Sequence, residues 1–86
     1  MSAPMPAEAV KYLTKAVALK PNDLLSVKNL GVAFFNSGRL NDALNTFLSA
    51  ERIAPTDTQV LTNISLSYRQ LGKIKEANLY QQKAAN

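Results

Sequence analysis

A pattern that repeats every 34 residues is the feature of this sequence that most restricts its fold. Gly38 and Gly72 lie one period apart, and apolar residues at helical spacing surround both. Small residues follow the same period: Ala9, Ala43 and Ala77; Ala16, Ala50 and Ala84. A fixed period of this length is typical of helical repeat arrays, in which each unit stacks on its neighbours. We therefore expect a stack of similar helical units rather than a globule with one central core.

The spacing of apolar residues predicts five helices separated by short breaks. Prolines or glycines interrupt the apolar pattern between successive helices. Asn41 is predicted to be the N-cap of the third helix, and Gly38 and Gly72 are expected to end helices in the left-handed conformation. The predicted helices cover residues 7–19, 24–37, 41–53, 58–71 and 74–85.

One face of each predicted helix carries the residues that we expect to be buried. Gly31 stands in the middle of the second helix, where glycine costs about 1 kcal/mol relative to alanine. Because glycine has no Cβ, we expect a partner helix to pack closely against Gly31. The expected core residues of the second to fourth helices are Val27, Leu30, Gly31 and Phe34; Ala43, Leu44, Phe47, Ala50 and Ile53; Leu61, Ile64, Ser65 and Tyr68.

The composition argues against an enzyme. The 86 residues include no histidine and no cysteine, which removes the usual general base, the thiol nucleophile and the commonest metal ligands. The sequence also contains no glycine-rich phosphate loop and no carboxylate pair suited to acid–base chemistry. Tyr12, Tyr68 and Tyr80 stand at helical spacing beside apolar neighbours, so we predict that they pack in the core. We therefore predict no catalytic residue, no metal site and no cofactor.

The charge pattern bears on the partners and the location of the chain. Ten Lys and Arg against six Asp and Glu give a formal net charge of +4, and the two signs are interleaved. A nucleic-acid-binding protein usually gathers its basic residues on one face, so we do not expect nucleic acid as a partner. No apolar run approaches the roughly 20 residues of a membrane span, and the N-terminus lacks the features of a secretory signal. We expect a cytoplasmic location if the chain is complete; for a fragment the location stays open.

These repeated positions resemble the tetratricopeptide repeat (TPR), a unit of 34 residues folded as two antiparallel helices. The signature of that family contains an aromatic residue, Leu-Gly, a tyrosine, an alanine with a phenylalanine four residues later, and a proline. In the first full unit the matching residues are Leu30, Gly31, Phe34, Gly38, Ala43, Phe47, Ala50 and Pro55, with Val27 at the tryptophan position. In the second they are Leu61, Ile64, Ser65, Tyr68, Gly72, Ala77 and Ala84, with Gln81 at the phenylalanine position.

The resemblance implies a fold and a division of the chain. The fold would be all-α, with antiparallel helical hairpins stacked as a right-handed TPR superhelix of about five helices. The first helix of each unit would line the concave face. The implied segments are a flexible leader at 1–6, the second helix of a partial repeat at 7–23, a full repeat at 24–57, and a second repeat at 58–86 that is truncated at its end.

The resemblance also implies a protein–protein interaction scaffold that binds a peptide or a partner segment, extended or helical, on its concave face. Asn29 and Asn63 lie one period apart, at a position where several TPR proteins carry a ladder of asparagines that hydrogen-bonds a ligand backbone. Lys28 does not complete the carboxylate clamp of other TPR proteins, because Val32 stands where the clamp has an asparagine. The residues expected to contact the ligand are Lys28, Asn29, Val32, Phe35, Asn36, Thr62, Asn63, Leu66, Arg69 and Gln70.

Two other functions stay open from the sequence. Exposed terminal helices could associate with other copies of the chain and form a homo-oligomer, either a dimer or a filament. A mass that does not change with protein concentration would exclude this alternative. The chain could also be the TPR portion of a larger enzyme, such as a glycosyltransferase, or of a secretion or pilus assembly factor.

Overall fold

The computed structural model describes residues 6–86, which form five α-helices and no strand. The helices are α1 (Pro6–Leu19), α2 (Leu24–Asn36), α3 (Leu40–Ile53), α4 (Thr58–Gln70) and α5 (Ile74–Ala85). Each helix packs against the next one along the chain. The all-helical prediction is confirmed, and short turns make α2 with α3 and α4 with α5 antiparallel hairpins. None of these five helices combines the length and the apolar character that crossing a bilayer requires.

The helix boundaries agree with the predicted ones to within one residue. Of the predicted leader, residues 1–5 lie outside the described part of the chain, and Pro6 is the first residue of α1. The prediction of Asn41 as an N-cap is wrong. The helix α3 begins at Leu40, and Arg39 occupies the cap position without a side-chain cap hydrogen bond.

Both hairpin turns close through the same backbone arrangement around a glycine. Gly38 has a φ of 78° and Gly72 a φ of 81°, in the left-handed region that glycine adopts without strain. The Arg39 N–H donates to the Phe34 carbonyl over 2.9 Å, and the equivalent bond one period later is 2.8 Å long. This is the Schellman ending of a helix. Because Arg39 completes the end of α2, the next helix starts directly after it and includes Asn41.

The breaks between repeat units differ in how they cap the helix that follows. Asp57 precedes α4, and its Oδ1 accepts a hydrogen bond of 3.0 Å from the Val60 N–H. Asp23 holds the equivalent position before α2, but its carboxylate accepts a hydrogen bond from the Ser26 hydroxyl rather than from a backbone N–H. Ser26 and Val60 lie one period apart. The Asp23 side chain thus contacts the residue equivalent to Val60 through its hydroxyl, whereas Asp57 contacts Val60 through the backbone N–H.

Replacing Asp57 with alanine is expected to lower the free energy of unfolding by about 0.5–2 kcal/mol. The Val60 N–H, helped by the Lys28 ammonium, holds the pKa of the Asp57 carboxyl below its ordinary value of 3.8. Because the pKa is lower in the folded chain, this stabilisation is complete well above pH 3.8 and is lost as the pH falls through the lowered pKa. Urea unfolding at about pH 7 and about pH 3 would measure it, and we expect the difference between the two proteins to shrink at the lower pH.

Asp23→Ala is the matched control for this substitution. It removes a carboxylate from the same position of the other repeat unit, where no backbone N–H donates to the side chain. We expect a smaller loss of stability at neutral pH than for Asp57→Ala. Equal losses for the two variants would show that the cap hydrogen bond does not stabilise α4.

The main core lies where α2, α3 and α4 meet. Its buried residues are Val27, Ala43, Leu44, Phe47, Ala50, Val60 and Ile64. The predicted apolar faces of these helices are confirmed, although Phe34, Ile53 and Tyr68 are half-buried. Val60 and Ser67 are buried outside the predicted face of α4. The reason is that α4 packs against α3 on one side and α5 on the other, so more than one face is covered.

The predicted close contact at Gly31 is present, and its partner is the ring of Phe47. A Cβ added to Gly31 would lie 2.6 Å from Cδ1 and 2.8 Å from Cζ of that ring. One period later the corresponding residues are Ser65 and Gln81. Ser65 Oγ donates to the Ala77 carbonyl over 2.7 Å. The two helices of the first hairpin thus meet at a glycine–phenylalanine contact, and those of the second hairpin are joined by a hydrogen bond.

Candidate functional site: a groove between the first helices of the hairpins

An open groove runs between α2 and α4, which are the first helices of the two hairpins. Its walls are formed by Leu25, Lys28, Asn29 and Val32 of α2 and by Thr58, Gln59, Thr62 and Asn63 of α4. We call this surface the amide groove. It brings together half of the residues that the sequence analysis expects to contact a ligand: Lys28, Asn29, Val32, Thr62 and Asn63.

Two asparagine side chains stand on opposite walls of the amide groove. Asn29 is exposed and Asn63 is half-buried. Within the described part of the chain, neither side-chain amide takes part in a hydrogen bond. Each amide can donate two hydrogen bonds and accept two. The groove therefore presents unpaired donors and acceptors from two successive repeat units.

Lys28 in the same groove is held by the neighbouring unit. Its Nζ lies 3.4 Å from Oδ2 of Asp57, and both side chains are largely covered. The carboxylate thus contacts the N-terminus of α4 through one oxygen and Lys28 through the other. This contact joins α2 to the start of α4 and offsets the lysine charge. Lys28 consequently offers a ligand less positive charge than a solvated lysine would.

A second groove continues from the amide groove toward α5. It is lined by Thr62, Ser65, Leu66, Arg69, Gln81 and Ala84, and we call it the end groove. An Arg69 Nη donates to Gln81 Oε1 over 2.9 Å and lies 3.4 Å from Asn78 Oδ1. Both acceptors are neutral amides, so these bonds orient the guanidinium without neutralising it. Arg69 therefore keeps a positive charge at the far end of the combined surface.

Exposed apolar side chains lie beside these polar groups. Leu25 is 65% exposed, Val32 41% and Leu66 44%. Leu25 and Val32 belong to the amide groove, and Leu66 belongs to the end groove. Large apolar side chains grouped in a groove are typical of interaction surfaces. The combined surface can thus contact both the backbone and the apolar side chains of a ligand.

Three residues expected to contact a ligand lie in neither groove. Phe35 is half-buried and packs against the main core, while Asn36 and Gln70 are exposed at the ends of α2 and α4. The expectation also omitted other residues that line the grooves, among them Thr58 and Gln81. The position of Gln81 one period after the buried Phe47 was the available signal. A polar residue at that position leaves an open groove where the first unit has a packed ring.

A polar cluster joins α5 to α3. Tyr80 Oη donates to Glu51 Oε1 over 2.9 Å, and Lys83 Nζ lies 2.8 Å from Glu51 Oε2. Burial, together with the neighbouring Glu51 carboxylate, raises the pKa of Tyr80 to about 12. The predicted core packing is confirmed for Tyr68 and Tyr80, which are half-buried against the main core. It is wrong for Tyr12, which is 76% exposed because no described helix covers that face of α1.

Comparison with known proteins identifies the repeat. The family model of the tetratricopeptide repeat matches residues 58–86. The structure of MamA AMB-1 superposes on 93% of this chain with a TM-score of 0.89 and 32% sequence identity. Residues 58–86 belong to the tetratricopeptide repeat family, and the described chain has the TPR fold. Its TPR fold is that of a protein-interaction scaffold, a class that is generally non-catalytic.

Other TPR structures show the same similarity. YrrB, described as a TPR protein with an unusual peptide-binding site, matches 92% of this chain with a TM-score of 0.88 and 28% identity. The structure of MamA MSR-1 matches 93% of this chain with a TM-score of 0.89 and 32% identity. This TPR chain spans 44% of MamA AMB-1, 46% of MamA MSR-1 and 41% of YrrB. Comparison with the curated proteins gave no match.

Proposed function

We propose that this TPR domain binds an extended segment of another protein in the amide groove. The observation that carries the proposal is the position of Asn29 and Asn63, one repeat apart on the walls of one open groove. A side-chain amide donates to a peptide carbonyl and accepts from a peptide N–H, so it holds a backbone whatever the ligand's side chains are. The similarity to YrrB, a TPR protein with a peptide-binding site, supports this class of ligand.

The surroundings of the two amides suggest which side chains the segment carries. Leu25 and Val32 offer apolar contacts beside Asn29, and Leu66 continues them toward α5. Arg69 adds an uncompensated charge at that end, whereas the charge of Lys28 is offset by Asp57. We therefore expect a segment with apolar residues followed by an acidic residue that reaches Arg69.

The proposed role needs neither a cofactor nor a catalytic group. Among the described residues that line the amide groove, Lys28 is the only basic one, and it contacts Asp57. The sequence contains no histidine or cysteine. Carboxylates paired for acid–base chemistry do not line the groove either. We propose that the domain acts by holding its partner in place and not by changing it chemically.

The expected result is that Asn29→Ala combined with Asn63→Ala weakens peptide binding by about 5- to 150-fold. A hydrogen bond contributes roughly 0.5–1.5 kcal/mol, so the loss of two corresponds to about 1–3 kcal/mol. Peptides would first be selected against the unaltered domain from a displayed random library. Isothermal titration calorimetry would then give the Kd of one selected peptide for both proteins, and circular dichroism would check that helicity is unchanged.

The matched control removes two asparagines that lie in neither groove. Asn41 and Asn45 are both exposed on α3, and Asn41→Ala with Asn45→Ala should leave the Kd unchanged. An unchanged Kd for the Asn29 and Asn63 variant would show that the two amides do not hold the ligand. Equal weakening by both pairs of substitutions would point to a general effect on the fold and would contradict the proposed site as well.

A further inference from the structure

The surface of α1 carries two large exposed side chains that the amide groove does not use. Tyr12 is 76% exposed and Leu19 is 83% exposed. Tyr12 lies in a shallow depression together with Glu8, Lys11 and Lys15. Equivalent positions occur one and two repeat periods later in the same chain, where the structure describes the neighbouring helix.

The equivalent pair on α5 contacts the carboxylate of a glutamate on α3. Tyr12 and Lys15 lie two periods before Tyr80 and Lys83, at the same spacing along the helix. Tyr80 and Lys83 each contact one carboxylate oxygen of Glu51 on α3. The Lys83 ammonium also lies 4.4 Å from the centre of the Tyr80 ring, so the two side chains form one unit.

The equivalent pair on α3 faces no carboxylate and has different residues. Thr46 and Ser49 occupy these positions, and each hydroxyl donates to a carbonyl four residues earlier in α3 itself. The residue one period before Glu51 is Val17, which lies on α1. Within this chain, the tyrosine–lysine pair on α5 therefore accompanies a carboxylate on α3, and the pair of small hydroxyl residues on α3 accompanies a valine on α1.

We infer that Tyr12 and Lys15 form a docking surface for a helix of another protein that carries a glutamate or aspartate. The tyrosine hydroxyl would donate to one oxygen of the carboxylate, and the lysine ammonium would pair with the other, as at Glu51. Lys11 and Lys15 outnumber Glu8 in the same depression, so its net charge is positive and favours an acidic helix. The exposed apolar surface of Tyr12 and Leu19 would be covered by the docked helix.

A second copy of this chain fits the surface less well than an acidic helix does. If a second copy stacked on α1 with the repeat geometry, the α5 helix of that copy would lie against α1. Its position would correspond to that of α3 against α5 within one chain. The residue one period after Glu51 is Ala85, so such a copy would present a methyl group in place of the Glu51 side chain.

The test uses the helix whose glutamate contacts the equivalent tyrosine and lysine of α5. The probe is a helix-stapled synthetic peptide with the α3 sequence, residues 40–53, which carries Glu51. It is titrated into the isotopically labelled chain while amide chemical shifts are recorded. We expect the largest shift changes around Tyr12 and Lys15, and a Kd that is weakened about fivefold in Lys15→Gln and about tenfold when Tyr12→Phe is added.

Two controls accompany the titration, and each contrary result has a defined meaning. Lys20→Gln, which changes an exposed lysine just after α1, should leave the Kd unchanged. The Kd of a Glu51→Gln peptide for the unaltered chain should be about as weak as the Kd of the original peptide for the chain with Lys15→Gln. Equal binding of the two peptides, or no binding at all, would overturn the inference. Shift changes centred on the amide groove would also overturn it without contradicting the function proposed there. If the mass of the chain rises with its concentration and Lys15→Gln abolishes that rise, the partner at this surface is a second copy of the chain and not an acidic helix of another protein.

Discussion

Replacing Phe47 with alanine is expected to lower the free energy of unfolding by about 3–5 kcal/mol. Phe47 is 1% exposed and is one of the largest fully buried side chains. Its ring belongs to the core cluster that joins α2, α3 and α4, so alanine would leave a cavity between the two hairpins as well as within the first one. Small domains have total stabilities of about 5–15 kcal/mol, so this loss would leave part of the protein unfolded at room temperature if the stability is at the lower end of that range.

Urea unfolding followed by far-ultraviolet circular dichroism would measure this loss. Leu79→Ala is a suitable control, because Leu79 is 56% exposed and its truncation should change the free energy of unfolding by about 0.5 kcal/mol or less. If Phe47→Ala loses less than about 1 kcal/mol, the ring does not fill the space between the hairpins.

Replacing Gly31 with leucine is expected to destabilise the fold by about 1–3 kcal/mol through overpacking. Leucine favours helices by roughly 1 kcal/mol over glycine, so helix propensity alone predicts a more stable protein. The opposite sign follows from the contact with Phe47, because even the Cβ would lie 2.6 Å from a ring carbon. Since Phe47 is fully buried, its ring could move away only by displacing other core residues.

A double-mutant cycle would assign this penalty to the Phe47 ring. In Phe47→Ala the ring is absent, so adding Gly31→Leu should cost less than it does in the original protein and could recover part of the lost stability. The two substitutions are then expected to couple by about 0.5–3 kcal/mol. A melting temperature that Gly31→Leu leaves unchanged, or strictly additive losses, would contradict the contact.

The helices and turns of this chain were predictable from local patterns. The left-handed turns at Gly38 and Gly72 follow from the backbone freedom of glycine, and the close contact at Gly31 follows from its missing Cβ. Asn41 was predicted wrongly as an N-cap. Asparagine favours the N-cap position, but the hydrogen bonds that end the preceding helix decide where the next helix begins. In this turn the Arg39 N–H closes α2, and no room is left for a separate cap before α3.

The candidate site was predictable only in part. The period places Asn29 and Asn63 at equivalent points of two stacked units, and the structure has both on one groove. Their role in binding stays a prediction. The partners of the charged residues could be learned only from the structure, because Lys28 contacts Asp57 and Arg69 contacts Gln81 on other helices or turns. The exposure of Tyr12 was not predictable either. Its helical spacing beside apolar residues predicted burial, and only the packing of the helices shows that its side chain is exposed.

The sequence by itself determined which segments are helical, where the chain turns and which residues recur at equivalent positions. Those properties depend on backbone preferences and on spacing along the chain, which are local. Only the tertiary structure decided which side chains meet. The contacts of Lys28 with Asp57 and of Tyr80 with Glu51 each join residues 29 positions apart. Such pairs depend on how one hairpin lies on the next, because side-chain contacts require proximity in space and local patterns specify only proximity along the chain.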